Sequence, residues 1–501
     1  MATKVLPPKQ LQNIRFFVSR SLKTSSSSSS VSTASTAVSP LCLAEKPEPS
    51  FQKPPTTIQD HAKPSILDFH DHQKLFSNLP TTKLLHASAN LYFGSIGPVV
   101  DFGMWVMNSR LMETDNIVRD AMLKTVRRTF FEHFCAGEDV VEAGRCIKKA
   151  NEAGLRGMLV FAVEYTGHND ACDQNLKGFL DTVHSAMSLP PSSVSSVVVK
   201  VTAICPLSLL ERASDLLRWQ QRDPSFNLPW KHNSFPILSD SSPLYHTLKK
   251  PEPLTLQEEL DLQLGQERLW KLCEKSVQAN IPLTVDAENT TVQPAIDYLT
   301  YSAAIKYNKD DNPIVYGTIQ TYLKDAKERL LLVCKAAEKM RVPMGFKLVR
   351  GAYMLSENKL ASSLGYDSPI HNSIQDTHAC FNDCASFMLE KIANSSDAVI
   401  LATHNVESGR LAATKALDLG IGKGNEKLEF AQLYGMSDAL SFGLSKAGFQ
   451  VSKYMPYGPV DKVIHYLLRR AEENRGLLSA SSIDGELMRK ELKRRLKAAI
   501  F

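Results

Sequence analysis

Between Met158 and Met455 short apolar runs alternate with amphipathic stretches. The runs are Met158–Glu164, Ser196–Ile204, Ile281–Ala287, Ile314–Gln320, Gly345–Gly351, Ala398–Thr403, Leu428–Leu433 and Gln450–Met455. The stretches include Val292–Lys306, Tyr322–Met340, Thr377–Ala393, Ser408–Leu419 and Val460–Asn474, each with apolar positions at helical spacing. Near-continuous apolar strands separated by helices predict a parallel sheet covered on both faces. Eight such units are the number that closes an α/β (β/α)8 barrel, with a doubly wound open sheet as the alternative. Upstream the period is helical: Leu84, Leu85, Ala87 and Ala89, then Ile117, Ala121, Leu123 and Val126. The chain therefore divides into a low-complexity segment over 1–65, a helical arm over 66–155 and a barrel over 156–501. A Pro/Ser-rich stretch without periodicity, about 220–253, reads as a loop inserted after the second strand.

Composition narrows the class. The chain has 501 residues, 43% hydrophobic and 22% charged, ordinary globular values that provide a large core. A net charge of +5 is small for this length and gives no reason to expect nucleic acid as a partner. Lys4, Lys9, Arg15, Arg20 and Lys23 all precede Glu45, the first acidic residue, and Ser25–Ser30 is an unbroken serine run. Basic, serine-rich and acid-poor describes an organelle transit peptide, mitochondrial or chloroplast. The nine cysteines form no Cys-x-x-Cys pair, which fits a reducing compartment; Cys380 and Cys384 are spaced for helix packing rather than for a metal. No apolar run reaches the length of a membrane span.

Candidate chemistry sits where barrel enzymes keep it, at the C-terminal ends of strands. The runs end in or lead to Lys200, Asp286, Gln320, Arg350-Gly351-Ala352-Tyr353, Thr403-His404-Asn405, Leu433-Tyr434-Gly435-Met436 and Tyr454. Lys347 lies within the fifth run. Buried Lys and Asp are rare unless paired, so Lys200, Asp286 and Lys347 are expected to converge. Gln320 and His404 are read as ending adjacent strands. On the last amphipathic stretch Arg469 and Arg470 are adjacent, with Glu473 four and three residues on, a spacing from which a carboxylate holds guanidinium groups. Such a fork grips a small carboxylate bidentately. There is no P-loop, no Gly-x-Ser-x-Gly elbow, and Gly420-Ile421-Gly422-Lys423-Gly424 lacks the third glycine of a dinucleotide fingerprint. His70, Asp71 and His72 read as solvated surface, and His404 has no second histidine at ligand spacing, so no metal is expected.

The segments Lys347-Leu348-Val349-Arg350-Gly351-Ala352-Tyr353, Thr403-His404-Asn405, Gln432-Leu433-Tyr434-Gly435-Met436 and Tyr466-x-x-Arg469-Arg470-x-x-Glu473-Asn474 resemble the signature motifs of the proline dehydrogenase family, in order, over most of the chain from Asp68. The similarity is strongest to the eukaryotic mitochondrial type, plant forms above all. The resemblance implies a distorted (β/α)8 barrel that binds FAD and oxidises L-proline to Δ1-pyrroline-5-carboxylate. It implies that Arg469 and Arg470 bind the substrate carboxylate with Glu473 orienting them, that Lys200, Leu433 and Tyr454 line the substrate, and that Asp286 and Lys347 belong to the catalytic centre. It places Gln320, Arg350, Gly351, Ala352, Thr403 and His404 against FAD. Bacterial members carry arginine where this chain has Lys347, which leaves that residue's role less fixed. The family also implies a quinone acceptor, peripheral contact with the inner membrane and a place on its matrix side. Two other readings are a different flavin-dependent barrel, which would need a nicotinamide site, and an inactive barrel serving as a binding module.

Overall fold

The computed structural model describes residues 66–500 except 70, 108, 110–115, 191 and 477; the side chains of 99, 465, 472–482 and 500 are also outside the description. The low-complexity segment over 1–65 thus lies outside the described residues, as does His70.

Eight parallel strands close into a barrel in chain order: β1 (Arg156–Phe161), β2 (Val194–Val199), β3 (Leu283–Val285), β4 (Val315–Gln320), β5 (Gly345–Val349), β6 (Ala398–Ala402), β7 (Leu428–Leu433) and β8 (Gln450–Tyr457). Closure runs through β1 and β8, from Arg156 opposite Ser452 to Phe161 opposite Tyr457. The open sheet is excluded, since a closed barrel has no edge strands. Met158, Val160, Val198, Tyr316, Ile400 and Ala431 fill the interior. A larger apolar cluster lies between the strands and the surrounding helices. Both faces are therefore dry, which is why the strands read as apolar runs rather than as alternations.

The longer arm helices among the described residues before β1 are α1 (Thr81–Gly94), α2 (Gly97–Met107), α3 (Ile117–Val126) and α4 (Val140–Glu152). Helix α5 (Asn169–Met187) follows β1, and α6 (Leu207–Arg222) and α7 (Leu256–Ala279) both follow β2. Next come α8 (Gln293–Tyr307), α9 (Ala326–Met340), then α10 (Met354–Leu364) and α11 (Ile374–Asn394) together after β5. The chain ends with α12 (Val406–Asp418), α13 (Asp438–Lys446), α14 (Val460–Gly476) and α15 (Leu478–Ile500).

Three local readings change. Gln220 belongs to α6, which continues to Arg222, so the insert begins later than the loss of periodicity suggested. β1 stops at Phe161, leaving Glu164 in the loop above the barrel. His72 is half-buried rather than freely solvated: its Nδ1 lies 3.1 Å from Oε2 of the fully buried Glu491 on α15, which Arg494 and Arg495 also engage. Asp484, on the same helix, accepts from the Asp438 and Ala439 amides at 2.8 and 3.0 Å and so caps α13.

Candidate active site

Lys200 follows β2 and Asp286 follows β3, while Lys347 points from β5 and Tyr454 from β8. All four meet at one mouth of the barrel. The Lys347 ammonium contacts Asp286 Oδ1, and the Tyr454 hydroxyl donates to Asp286 Oδ2 at 2.7 Å. Lys200 Nζ lies 3.5 Å from Asp286 Oδ2 and 3.6 Å from Glu164 Oε2. Asp286 is thus the hub of a buried network. Burial alone would raise its carboxyl, but Lys347 and Lys200 outweigh that and hold it below the usual range. Burial would lower Lys200, yet Asp286 and Glu164 hold it well above the usual lysine range.

Glu164 also receives the fork of Arg469, Nη1 at 2.7 Å from Oε1 and Nη2 at 3.3 Å from Oε2. Sequence reasoning assigned the carboxylate partner of the Arg pair to Glu473, whose side chain lies outside the described residues. Among the described residues, the carboxylate that grips Arg469 is Glu164, 305 positions away in the chain. Arg470 is buried one residue on, its guanidinium 5.2 Å from the Tyr466 ring centre. Glu288, also missed, is fully buried and accepts from the Thr202 hydroxyl at 3.0 and 2.9 Å. Burial pushes its carboxyl up to about 7, against the pull of Lys200. The available signal for both glutamates was position, one at the end of the first apolar run and one just beyond the third.

A second group lies around the ends of β4, β5 and β6. Arg350 donates to Thr403 Oγ1 at 2.6 Å, Ser408 Oγ at 3.0 Å and His378 Nδ1 at 2.9 Å, and lies over the Phe381 ring. No carboxylate pairs with it among the described residues, and burial lowers its guanidinium to about 10. Gly351 follows at φ +93°, a conformation strained for any side chain, although a Cβ there would meet nothing within 4 Å. Ala352 is exposed beside it. Gln320 donates to the Glu288 carbonyl at 2.8 Å and the Tyr322 hydroxyl at 2.7 Å, and its buried Oε1 has no partner. His404 Nε2 accepts from the Leu433 amide at 3.1 Å. Burial, then Lys453, Arg470 and Arg350, lower this imidazole to about 3, so it is neutral with its proton on Nδ1. Gln320 and His404 do not end adjacent strands: β5 separates β4 from β6. Gly435, beyond Leu433, takes φ +77° with a Cβ position 2.3 Å from the His133 carbonyl, so the motif there requires glycine.

A cofactor with an anionic segment and polar edges fits this second group. A half-buried guanidinium held by neutral partners and an orphaned buried amide oxygen are groups left for a ligand to complete. Fold and site together define a (β/α)8-barrel enzyme with a buried, charged mouth at the C-terminal ends of its strands. The family model for proline dehydrogenase matches residues 143–482, and the chain belongs to that family. It is 58% identical over 455 residues to proline dehydrogenase 2, mitochondrial, of Arabidopsis thaliana, covering 89% of this chain and 95% of that one. It is 56% identical to proline dehydrogenase 1, mitochondrial, of the same plant, covering 93% and 94%. Among solved structures, proline utilization A from Bdellovibrio bacteriovorus, inactivated by N-propargylglycine, is similar in fold. Its TM-score is 0.60 at 18% identity over 84% of this chain, which spans 44% of that longer protein.

Proposed function

We propose that the protein oxidises L-proline to Δ1-pyrroline-5-carboxylate with FAD as the resident cofactor, in mitochondria, and passes the electrons to a membrane quinone. The observation that carries the reading is the meeting of Arg469, Lys200, Lys347 and Tyr454 around Asp286 and Glu164, in a chain of this family.

The proline carboxylate is held by Arg469 and Arg470. Glu164 fixes Arg469 through two of its five N–H groups, so the guanidinium is held in place in advance with the others left to meet the substrate carboxylate. Tyr454, fixed by Asp286, and Leu433 pack on the ring. Lys200 and Lys347 supply positive charge, and the dry surroundings strengthen it. The amine must lose its proton before the adjacent C–H bond breaks, and Glu288, held near neutrality, is suited to share that proton. FAD, when bound, supplies the two-electron acceptor. Arg350 with Thr403 would hold its phosphates, Gly351 and Ala352 let backbone approach it, and Gln320 and His404 Nδ1 offer an acceptor and a donor to its polar edges.

Among the described residues no helix is long and apolar enough to cross a membrane. Support for a peripheral contact comes from exposed Tyr92, Phe93, Phe102 and Trp105 on α1 and α2; α2 packs on α14, the helix of the Arg pair. The test is to purify the protein with its flavin, mix it with proline and a short-chain quinone, and follow quinone reduction. Proline-dependent quinone reduction supports the reading; reduction of NAD+ in its place overturns the acceptor assignment.

A further inference from the structure

Residues 223–255, between α6 and α7, carry no periodicity, yet this insert is fastened throughout. Arg222 donates to the Leu244 and Thr247 carbonyls at 2.5 Å. Thr247 Oγ1 donates to Asp215 at 2.5 Å, and Ser242 Oγ donates to Asp325 at 2.6 Å. Tyr245 stacks on Tyr366 with ring centres 5.1 Å apart. The segment is therefore pinned to α6, to the start of α9 and to the residues after α10. Its side-chain bonds replace the backbone ladder that a loop lacks.

One residue of the insert reaches the segment that follows β3. His246 Nε2 lies 2.9 Å from Thr290 Oγ1. That hydroxyl donates to Glu357 Oε2 at 2.5 Å, and the Thr290 amide donates to Glu357 Oε1 at 2.7 Å. With the hydroxyl proton committed to Glu357, His246 is the donor. Burial and the Arg218 guanidinium keep its ring neutral, down at about 3, so it has one ring N–H to give. Arg218, almost wholly buried, donates to the Thr290 and Thr291 carbonyls. Thr290 thus has its amide, hydroxyl and carbonyl each fixed from outside its own segment.

Thr290 lies four residues after Asp286 and two after Glu288. The strand that leads into them, β3, has three residues, so the strand itself anchors this segment weakly. On its inner side, the Glu288 carbonyl accepts from Gln320 and Asp286 ties Lys200, Lys347 and Tyr454 together. We infer that the insert is a positioning brace: His246, acting through Thr290 and Glu357, sets where the segment carrying Asp286 and Glu288 stands at the mouth. His246, Thr290 and Glu357 are positioning residues, and the proposal rests on the proline-oxidation reading only for its kinetic consequence.

The test compares the flavin-loaded parent with His246→Ala, Thr290→Val and the double variant, using His246→Gln and Thr290→Ser as conservative controls. Backbone hydrogen exchange over residues 286–292 reads the brace without reference to activity. Loss of one hydrogen bond is expected to speed exchange there about fivefold in His246→Ala, and Thr290→Val, which removes both bonds of that hydroxyl, should speed it further. The double variant should be no faster than Thr290→Val, because both changes cut the same link. Proline KM should rise in parallel at retained flavin content, and the two conservative controls should keep both exchange and KM near the parental values. Unchanged exchange over 286–292, or exchange raised equally across the whole chain, overturns the proposal. A parent that proline fails to reduce would sink the functional reading, and the exchange comparison would still decide the brace.

Discussion

Arg469→Met is the most informative single change at the mouth. The side chain is one-quarter exposed and makes a bidentate pair with Glu164, one arm at 2.7 Å and the other at 3.3 Å. Methionine keeps an apolar stem but removes the guanidinium with both donors. Glu164 retains Lys200 at 3.6 Å, so the truncation does not strand a buried carboxylate. The stability cost should therefore fall below the roughly 3–5 kcal/mol typical of breaking a buried pair. Substrate suffers more. A hydrogen bond between charged groups contributes about 1.5–3 kcal/mol, and a tenfold change in affinity corresponds to about 1.4 kcal/mol. Proline KM should therefore rise roughly ten- to more than a hundredfold, with kcat lowered as well if a loosely held ring is badly aimed. Glu164→Gln makes the complementary case: the amide oxygen still accepts one arm and Arg469 stays competent, so KM should move by less than about tenfold. The assay is steady-state quinone reduction over a wide proline range, with flavin content checked by absorbance. An Arg469→Met enzyme with parental KM and full flavin would refute the carboxylate clamp, and the pair would be a salt bridge of structural value only.

Asp286→Asn should be worse than either change, because it strips Lys200 and Lys347 of their shared counter-charge; turnover is expected to collapse while circular dichroism shows the barrel intact. Glu288, Asp297 and Asp484 are each raised to about 7, chiefly by burial, so folding takes up protons and stability present at low pH is lost as pH rises through 7. Thermal melts should fall between about pH 4 and pH 7, and Glu288→Gln should flatten that slope; a slope unaltered by the change would show Glu288 to be ionised throughout. His404→Ala should lower flavin retention more than the melting temperature of the flavin-free protein, and full flavin occupancy in that variant would contradict its placement beside the cofactor. A reporter fused to residues 1–65 should enter mitochondria, and a cytosolic reporter would oppose the transit-peptide reading.

The strand and helix alternation was legible because a barrel strand is dry on both faces, leaving an apolar run such as Leu428–Leu433 that local patterning exposes. The convergence of Lys200, Asp286 and Lys347 was legible because such residues are rarely buried without partners. What no local pattern carries is pairing across the chain. Arg469 meets Glu164 and His72 meets Glu491, and each pair is set by packing of elements hundreds of positions apart. The insert was legible only as a lack of period. Its order comes from side chains bonding to other elements, for which single-sequence patterning has no signal. The likeness to the family supplied residue roles at Gln320 and Arg350 that periodicity alone would have left as polar strand ends.

The central claim, that this mouth delivers proline to a bound flavin, is tested most directly by anaerobic titration of the purified, flavin-loaded protein with L-proline. The account predicts loss of the oxidised flavin absorbance on adding proline, with the apparent affinity weakened in Arg469→Met. A flavin spectrum that proline leaves unchanged would contradict it.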